Sequence, residues 1–251
     1  MKVKCALLLS VLAFSGTAFA QAKAPEPDYT LSFNVGAVTD YRYRGISQSR
    51  LKPALQGGVD FSHKSGFYVG TWLSSIRWLE DVPGGKGPVE WDIYGGYKGS
   101  ITEALTYDVG VLRYQYPRQN FTVSPNTTEV YGALSFGPAT LKYSHSTTNL
   151  FGFADSKGSG YLDLSATFDV GSGWSIVPHI GHQKVDGNGN GLFSYTDISV
   201  AVNKDFGNGL VASLTAVDTN VKKVGGVPVY VAPNGKNLGR AGLVAGVKYS
   251  F

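Results

Sequence analysis

Arg42 and Arg44 stand two residues apart in the run Asp40-Tyr41-Arg42-Tyr43-Arg44-Gly45. In an extended strand residues i and i+2 share a face, so both guanidinium groups point the same way. The same parity sets Asp60, Glu90, Asp92, Glu129, Asp163 and Asp197 opposite apolar neighbours in later segments, and does so for Lys142 and Lys248. Cations and carboxylates on opposed walls of a water-filled lumen would create a transverse field, suited to polar solutes and obstructive to apolar ones. Arg42, Arg44, Asp60, Asp92, Glu129, Asp163, Asp197 and Lys248 are therefore the candidate lumen residues. The two arginines are expected at a constriction, with Asp92 and Glu129 opposing them. On this reading Arg42 and Arg44 lie on the first strand and Lys248 on the last, forming a basic wall where the sheet closes, while Lys142 interrupts the acidic side.

Other chemistry is poorly supported. Asp186-Gly-Asn188-Gly-Asn190-Gly191 matches the start of a calcium loop, and Asp197 falls at the twelfth position. Asp stands there in place of a bidentate Glu, however, and Asn and Gly are what any exposed tight loop uses. His63, His145, His179 and His182 offer no metal spacing on one face, since i and i+3 on a strand point to opposite sides. No Lys-Ser/Thr follows the glycine run to make a phosphate cradle, and no motif assembles a Ser–His pair with a third group. Neither a catalytic site nor a cofactor is expected.

The elements that would position the charges repeat with period two in segments of about ten residues, the signature of a membrane barrel. In the first, Leu31, Phe33, Val35 and Ala37 share one face, which Tyr41 and Tyr43 extend; Ser32, Asn34, Gly36, Asp40, Arg42 and Arg44 share the other. The alternation returns in Ala54–His63, Val89–Lys98, Thr128–Phe136, Ala139–Ser146, Tyr161–Asp169, Trp174–Gln183, Tyr195–Lys204, Leu210–Thr219 and Arg240–Phe251. Phe67–Arg77 and Ala104–Tyr116 are strands by composition, with their facing unassigned. The spacing thus predicts an all-β, up-and-down antiparallel barrel of 12 strands over residues 29–251. Short connections such as His63–Gly66 and Gly137–Pro138 alternate with long ones such as Trp78–Pro88 and Asn220–Gly239, as a barrel with both termini at its periplasmic end requires. Tyr41, Tyr43, Tyr143, Trp174, Tyr249 and Phe251 are expected in the aromatic girdles at the two interfaces.

The first 20 residues form an expected export signal: Lys2 and Lys4, the apolar stretch Ala6 to Phe14, and the A-x-A pattern Ala18-Phe19-Ala20. Residues 21–28 follow as a short periplasmic leader. Removing the signal takes two lysines and no acid, so the net charge of +4 falls to +2, too little for a nucleic-acid binder. The single cysteine, Cys5, goes with it, and no disulfide can staple the fold. At the other end Leu243, Ala245, Val247, Tyr249 and Phe251 alternate up to a terminal Phe, a pattern resembling the signal that outer-membrane proteins present to the barrel-assembly machinery. The expected partners are outer-membrane lipid, that machinery, periplasmic chaperones and small solutes.

Asp40-Tyr41-Arg42-Tyr43-Arg44-Gly45-Ile46-Ser47-Gln48-Ser49, Pro53–Phe61, Gly66–Trp72 and Asp92–Tyr97 resemble the TorF family of bacterial outer-membrane proteins, catalogued as carrying a Gcw domain. The resemblance implies a pore and supplies no binding residues. Passive diffusion of small polar or charged solutes is the expected activity. The alternative is a closed barrel acting through its external loops, which tight charge pairing across the lumen would favour.

Overall fold

The computed structural model describes residues 27–82 and 85–251. The expected export signal, residues 1–20, and most of the leader lie outside the described residues.

Twelve antiparallel strands form the wall: β1 (Tyr29–Val38), β2 (Ala54–His63), β3 (Phe67–Ser75), β4 (Val89–Ser100), β5 (Leu105–Gln115) and β6 (Thr127–Phe136). They continue as β7 (Ala139–Ser146), β8 (Gly160–Ala166, prolonged by Phe168–Gly171), β9 (Trp174–Lys184), β10 (Tyr195–Asp205), β11 (Leu210–Thr219) and β12 (Gly242–Ser250). Each strand pairs with its sequence neighbour, and β1 pairs with β12 through Asn34↔Ser250 to Val38↔Gly246, which closes the ring. A closed sheet leaves no unpaired edge, the condition for crossing a bilayer with strands. Among the described residues no helix is long and apolar enough to cross a membrane.

The facing follows the period. Leu31, Val35, Ile93, Val111, Leu134, Leu164, Ile198 and Leu243 all point outward and are exposed, a continuous apolar band far larger than a soluble protein would show to water. The two unassigned strands are settled by the register. β3 turns Val69 and Leu73 out and Tyr68, Trp72 and Ser74 in; β5 turns Val109 and Val111 out and Tyr114 in. Three inward tyrosines stand directly across a glycine on the neighbouring strand: Tyr68 on Gly96, Tyr94 on Gly70 and Tyr131 on Gly110. In each case a tyrosine atom lies 2.5 Å from where the glycine's Cβ would be. The missing side chain lets each ring lie along the wall, which leaves the lumen wider.

Two expectations are corrected here. β1 ends at Val38, so Arg42 and Arg44 are not on a wall strand. Tyr41 and Tyr43 do not face lipid either. Tyr41 is buried and Tyr43 packs inside, with Ala54, Ile76, Leu79, Tyr114 and Tyr116, at the long-loop end of the barrel. Tyr143, Trp174, Tyr249 and Phe251 do face outward.

Candidate functional site

Past Val38 the chain turns into the barrel as a small ribbon, Arg42–Tyr43 paired with Ile46–Ser47. Its tip residues Arg44 and Gly45 have φ of 48° and 78°, the two left-handed positions of a tight hairpin turn. A Cβ on Gly45 would lie 2.5 Å from Thr219 Cγ2 and 2.8 Å from Asp197 Cβ, so the tip abuts the wall at β10 and β11. From the tip the Arg44 guanidinium donates to Gln183 Oε1 on β9 (2.6 Å) and to Glu129 Oε2 on β6 (2.7 Å). It also lies over the rings of Tyr161 (4.2 Å) and Tyr43 (4.8 Å). β6 is five strands from β1 around the ring, so this one side chain reaches the far wall.

Arg42 works differently. It pairs with Asp40, which also accepts from the Ser47 and Ser49 hydroxyls. Its Nη1 lies within donating distance of the carbonyls of Gly45 (2.8 Å), Leu238 (3.0 Å) and Arg240 (3.1 Å). With the Ser47 N–H donating to Leu238 O at 3.0 Å, it ties the hairpin's base to the loop between β11 and β12. It is a strut rather than a free charge.

The carboxylates are spread along the lumen. Glu90, at the long-loop end, accepts from the hydroxyls of Tyr41 (2.5 Å) and Tyr116 (2.7 Å). Glu129 holds Arg44, and Asp92, between them, lines the space beneath the hairpin with its Oδ1 unpartnered. Asp163 and Asp197 flank His179, whose Nδ1 and Nε2 lie 3.3 Å and 2.8 Å from them, and Tyr161 donates to Asp197 at 2.9 Å. Asp60 lies lower and accepts from Tyr94 at 2.5 Å. Lys142 lies over the Tyr131 ring at 4.0 Å.

Lys248, near the short-turn end of β12, pairs in register with Gly36 and is exposed. It is far along the barrel from the arginines, so the expected basic wall does not form. The calcium-loop residues do not converge. Asp186 pairs with Lys184, Asn190 donates to Ala154 O and Asp186 O, and Asp197 points into the lumen. Among the described residues no acidic, His and Cys group could hold a metal ion.

The hairpin separates two cavities. The inner one, about 650 Å³, is bordered by Arg44, Asp92, Lys142, Asp163, His179 and Thr215 among others. The outer one, about 380 Å³, lies among the long loops and is lined mostly by aromatic and aliphatic side chains. Trp78 meets Tyr116 and Phe121 edge-on, while Phe153, Phe193, Tyr230 and Tyr195 form a second chain of ring contacts. Burial pushes the Asp81 carboxyl beside it up from its ordinary value, and Arg50 partly offsets the rise. His179 is a functional candidate that the sequence reading passed over, although it shares the inward parity of Asp163 and Asp197. The loop aromatics lie outside the strands, where periodicity gives no signal.

A closed, outward-apolar ring of 12 strands with a charged hairpin folded inside defines a transmembrane β-barrel protein. The chain belongs to the family described as bacterial protein of unknown function (Gcw_chp), whose model matches residues 21–251. No curated protein matches it. Among solved structures it is similar to a KdgM porin in complex with disordered oligogalacturonate (TM-score 0.56, 8% identity, 88% of this chain and 99% of that one). A NanC porin gives a TM-score of 0.55 at 9% identity over 88% and 99%. An outer-membrane channel from Pseudomonas putida F1 gives 0.50 at 13% identity over 90% and 96%. At such identities the likeness is one of fold.

Proposed function

We propose that this chain is an outer-membrane channel for passive diffusion of small polar solutes, with the Arg42–Ser47 hairpin at its constriction. The observation that carries the reading is the inner cavity, about 650 Å³ and lined by charged and hydroxyl side chains, directly beneath an arginine that spans the lumen. A lumen of this width and polarity favours solutes that hydrogen-bond over those that do not. Asp92, Asp163 and Asp197 share this cavity with Arg44, Lys142 and His179, so carboxylates and cations face one another across it. Export by an N-terminal signal and insertion through the barrel-assembly machinery accord with the sequence and belong to the same reading.

A second reading has its own observation. Arg44 is paired at both ends of its guanidinium and the hairpin is tied at its base, as a permanently closed barrel would require. Planar-bilayer recording on the refolded protein separates the two. Discrete, salt-dependent conductance steps are expected; silence from protein shown to be folded would leave the closed barrel.

A further inference from the structure

The outer cavity is built differently from the passage beneath it. Two aromatic clusters border it, represented by Trp78 and Tyr116 on one side and Phe153 and Tyr230 on another. A short 3-10 turn, Trp78–Asp81, brings two polar groups to the same cavity. Trp78 Nε1 and Asp81 Oδ2 are both buried and both lack a hydrogen-bond partner, although Asp81 Oδ1 is held by Arg50. Buried polar atoms are almost always paired, because an unpaired one forfeits the hydration it lost on folding. Here one donor and one acceptor, three residues apart, are buried and unpaired in side chains that line a cavity large enough for a small molecule, and a small turn of either side chain would present it to a ligand.

The lining restricts what can fill it. None of the described residues around the cavity is Lys or Arg, so an anion would meet the Asp81 carboxylate with no free cation to offset it. An apolar ligand would use the rings and leave both polar atoms unpaired. A hydroxyl both donates and accepts, and the C–H faces of a sugar ring pack against aromatic faces by dispersion. We propose that the outer cavity is a binding site for a neutral sugar of one or two rings, stacked on its aromatic walls and hydrogen-bonded to Trp78 Nε1 and Asp81 Oδ2. This goes beyond the channel reading and does not depend on it, since a closed barrel would bind the same ligand at its outer mouth.

The test is calorimetric titration of the refolded full chain, in a detergent without a sugar headgroup. The probes are maltose, cellobiose, lactose and a uronic-acid disaccharide of similar size. Saturable one-to-one binding of at least one neutral disaccharide is expected, with no binding of the acidic one. Trp78→Phe keeps an aromatic face while removing the N–H together with part of the ring, and should weaken binding at least roughly fivefold to tenfold, the loss of one hydrogen bond with some stacking. Asp81→Asn, with its amide oxygen held by Arg50, puts an NH2 donor where the Oδ2 acceptor stood and should also weaken binding. Should either variant fail to refold, the other and the neutral-against-acidic preference of the unmodified protein still decide the matter. No saturable binding of any of the three neutral sugars, tighter binding of the acidic one, or unchanged affinity in folded Trp78→Phe would overturn the proposal. Conductance, recorded separately, reports on the channel reading alone.

Discussion

Replacing Gly45 with alanine adds one methyl group and no charge, at the point where the hairpin tip meets the wall. The backbone there has φ 78°, and an L side chain in the left-handed region costs about 1–2 kcal/mol. The added Cβ would also stand 2.5 Å from Thr219 Cγ2 and 2.8 Å from Asp197 Cβ, an overlap of the kind that costs about 1–3 kcal/mol in a packed interior. Together these disfavour the seated tip by about 2–5 kcal/mol, a change of roughly thirtyfold to several-thousandfold in its equilibrium. The barrel ladder is untouched, so the protein should still fold. In planar bilayers Gly45→Ala is expected to raise the mean single-channel conductance, with a smaller change in reversal potential than removal of Arg44 produces, because no lumen charge is lost. A readout independent of conduction is amide exchange at Ser47 and Gln48, whose N–H groups donate to Leu238 O and Tyr41 O. Both should exchange faster. Folded Gly45→Ala with wild-type conductance and wild-type protection at both amides would refute the placement of the tip against β10 and β11.

Arg44→Ala leaves Glu129, whose side chain is only 2% exposed, with no closer partner than the Tyr114 hydroxyl at 3.4 Å. Breaking one side of a buried ion pair costs about 3–5 kcal/mol, a penalty the site can relieve by admitting water. Reversal potentials should shift toward cations, and an unchanged value would count against Arg44 lying in the ion path. Deleting Phe251 removes two backbone hydrogen bonds to Phe33 (2.8 Å and 3.0 Å) and a ring stacked on Phe33 at 5.8 Å, all across the β1–β12 seam. The yield of heat-modifiable, membrane-inserted barrel should fall, and full yield without it would undercut the closing role of the C-terminus.

The wall was legible because its physics is local. A period of two with apolar residues on one parity needs no knowledge of the partner strand, and it located ten strands with their facing, composition supplying the other two. Tyr41 and Tyr43 show where that logic ends. They continue the parity of Leu31 and Phe33, and nothing within the segment separates a strand that runs on from a chain that turns inward. What turns it is Gly45, whose conformation and space are set by β10 and β11, some 150 residues further along the chain. The partners of Arg42 have the same origin, in the carbonyls of Leu238 and Arg240. The loop aromatics were illegible for a related reason. Trp78, Phe153 and Tyr230 lie in three different connections and share one cavity only once the barrel has closed.

Charge pairing inside the lumen bears on the choice between an open and a closed barrel less directly than the sequence suggests. Twelve strands lie between the filled eight-stranded barrel and the open sixteen-stranded one, so the infolded segment decides the matter more than the ring does. Two kinds of pairing must be separated. Asp40 with Arg42 is internal to the hairpin's base and moves with it, whereas Arg44 with Glu129 and Gln183 joins hairpin to wall and opposes any movement of the tip. The second kind closes the lumen, and beside it the Tyr43 hydroxyl meets that of Tyr114 on β5 at 2.6 Å. Beneath it the space is not filled, and an inner cavity of about 650 Å³ stays open among Asp92, Lys142, Tyr161 and His179. A barrel meant to be solid would fill that region with large side chains pointing inward, as small barrels do. Keeping the cavity while holding one arginine across its mouth is the arrangement of a narrow passage, and Gly45→Ala is the smallest change that tests it.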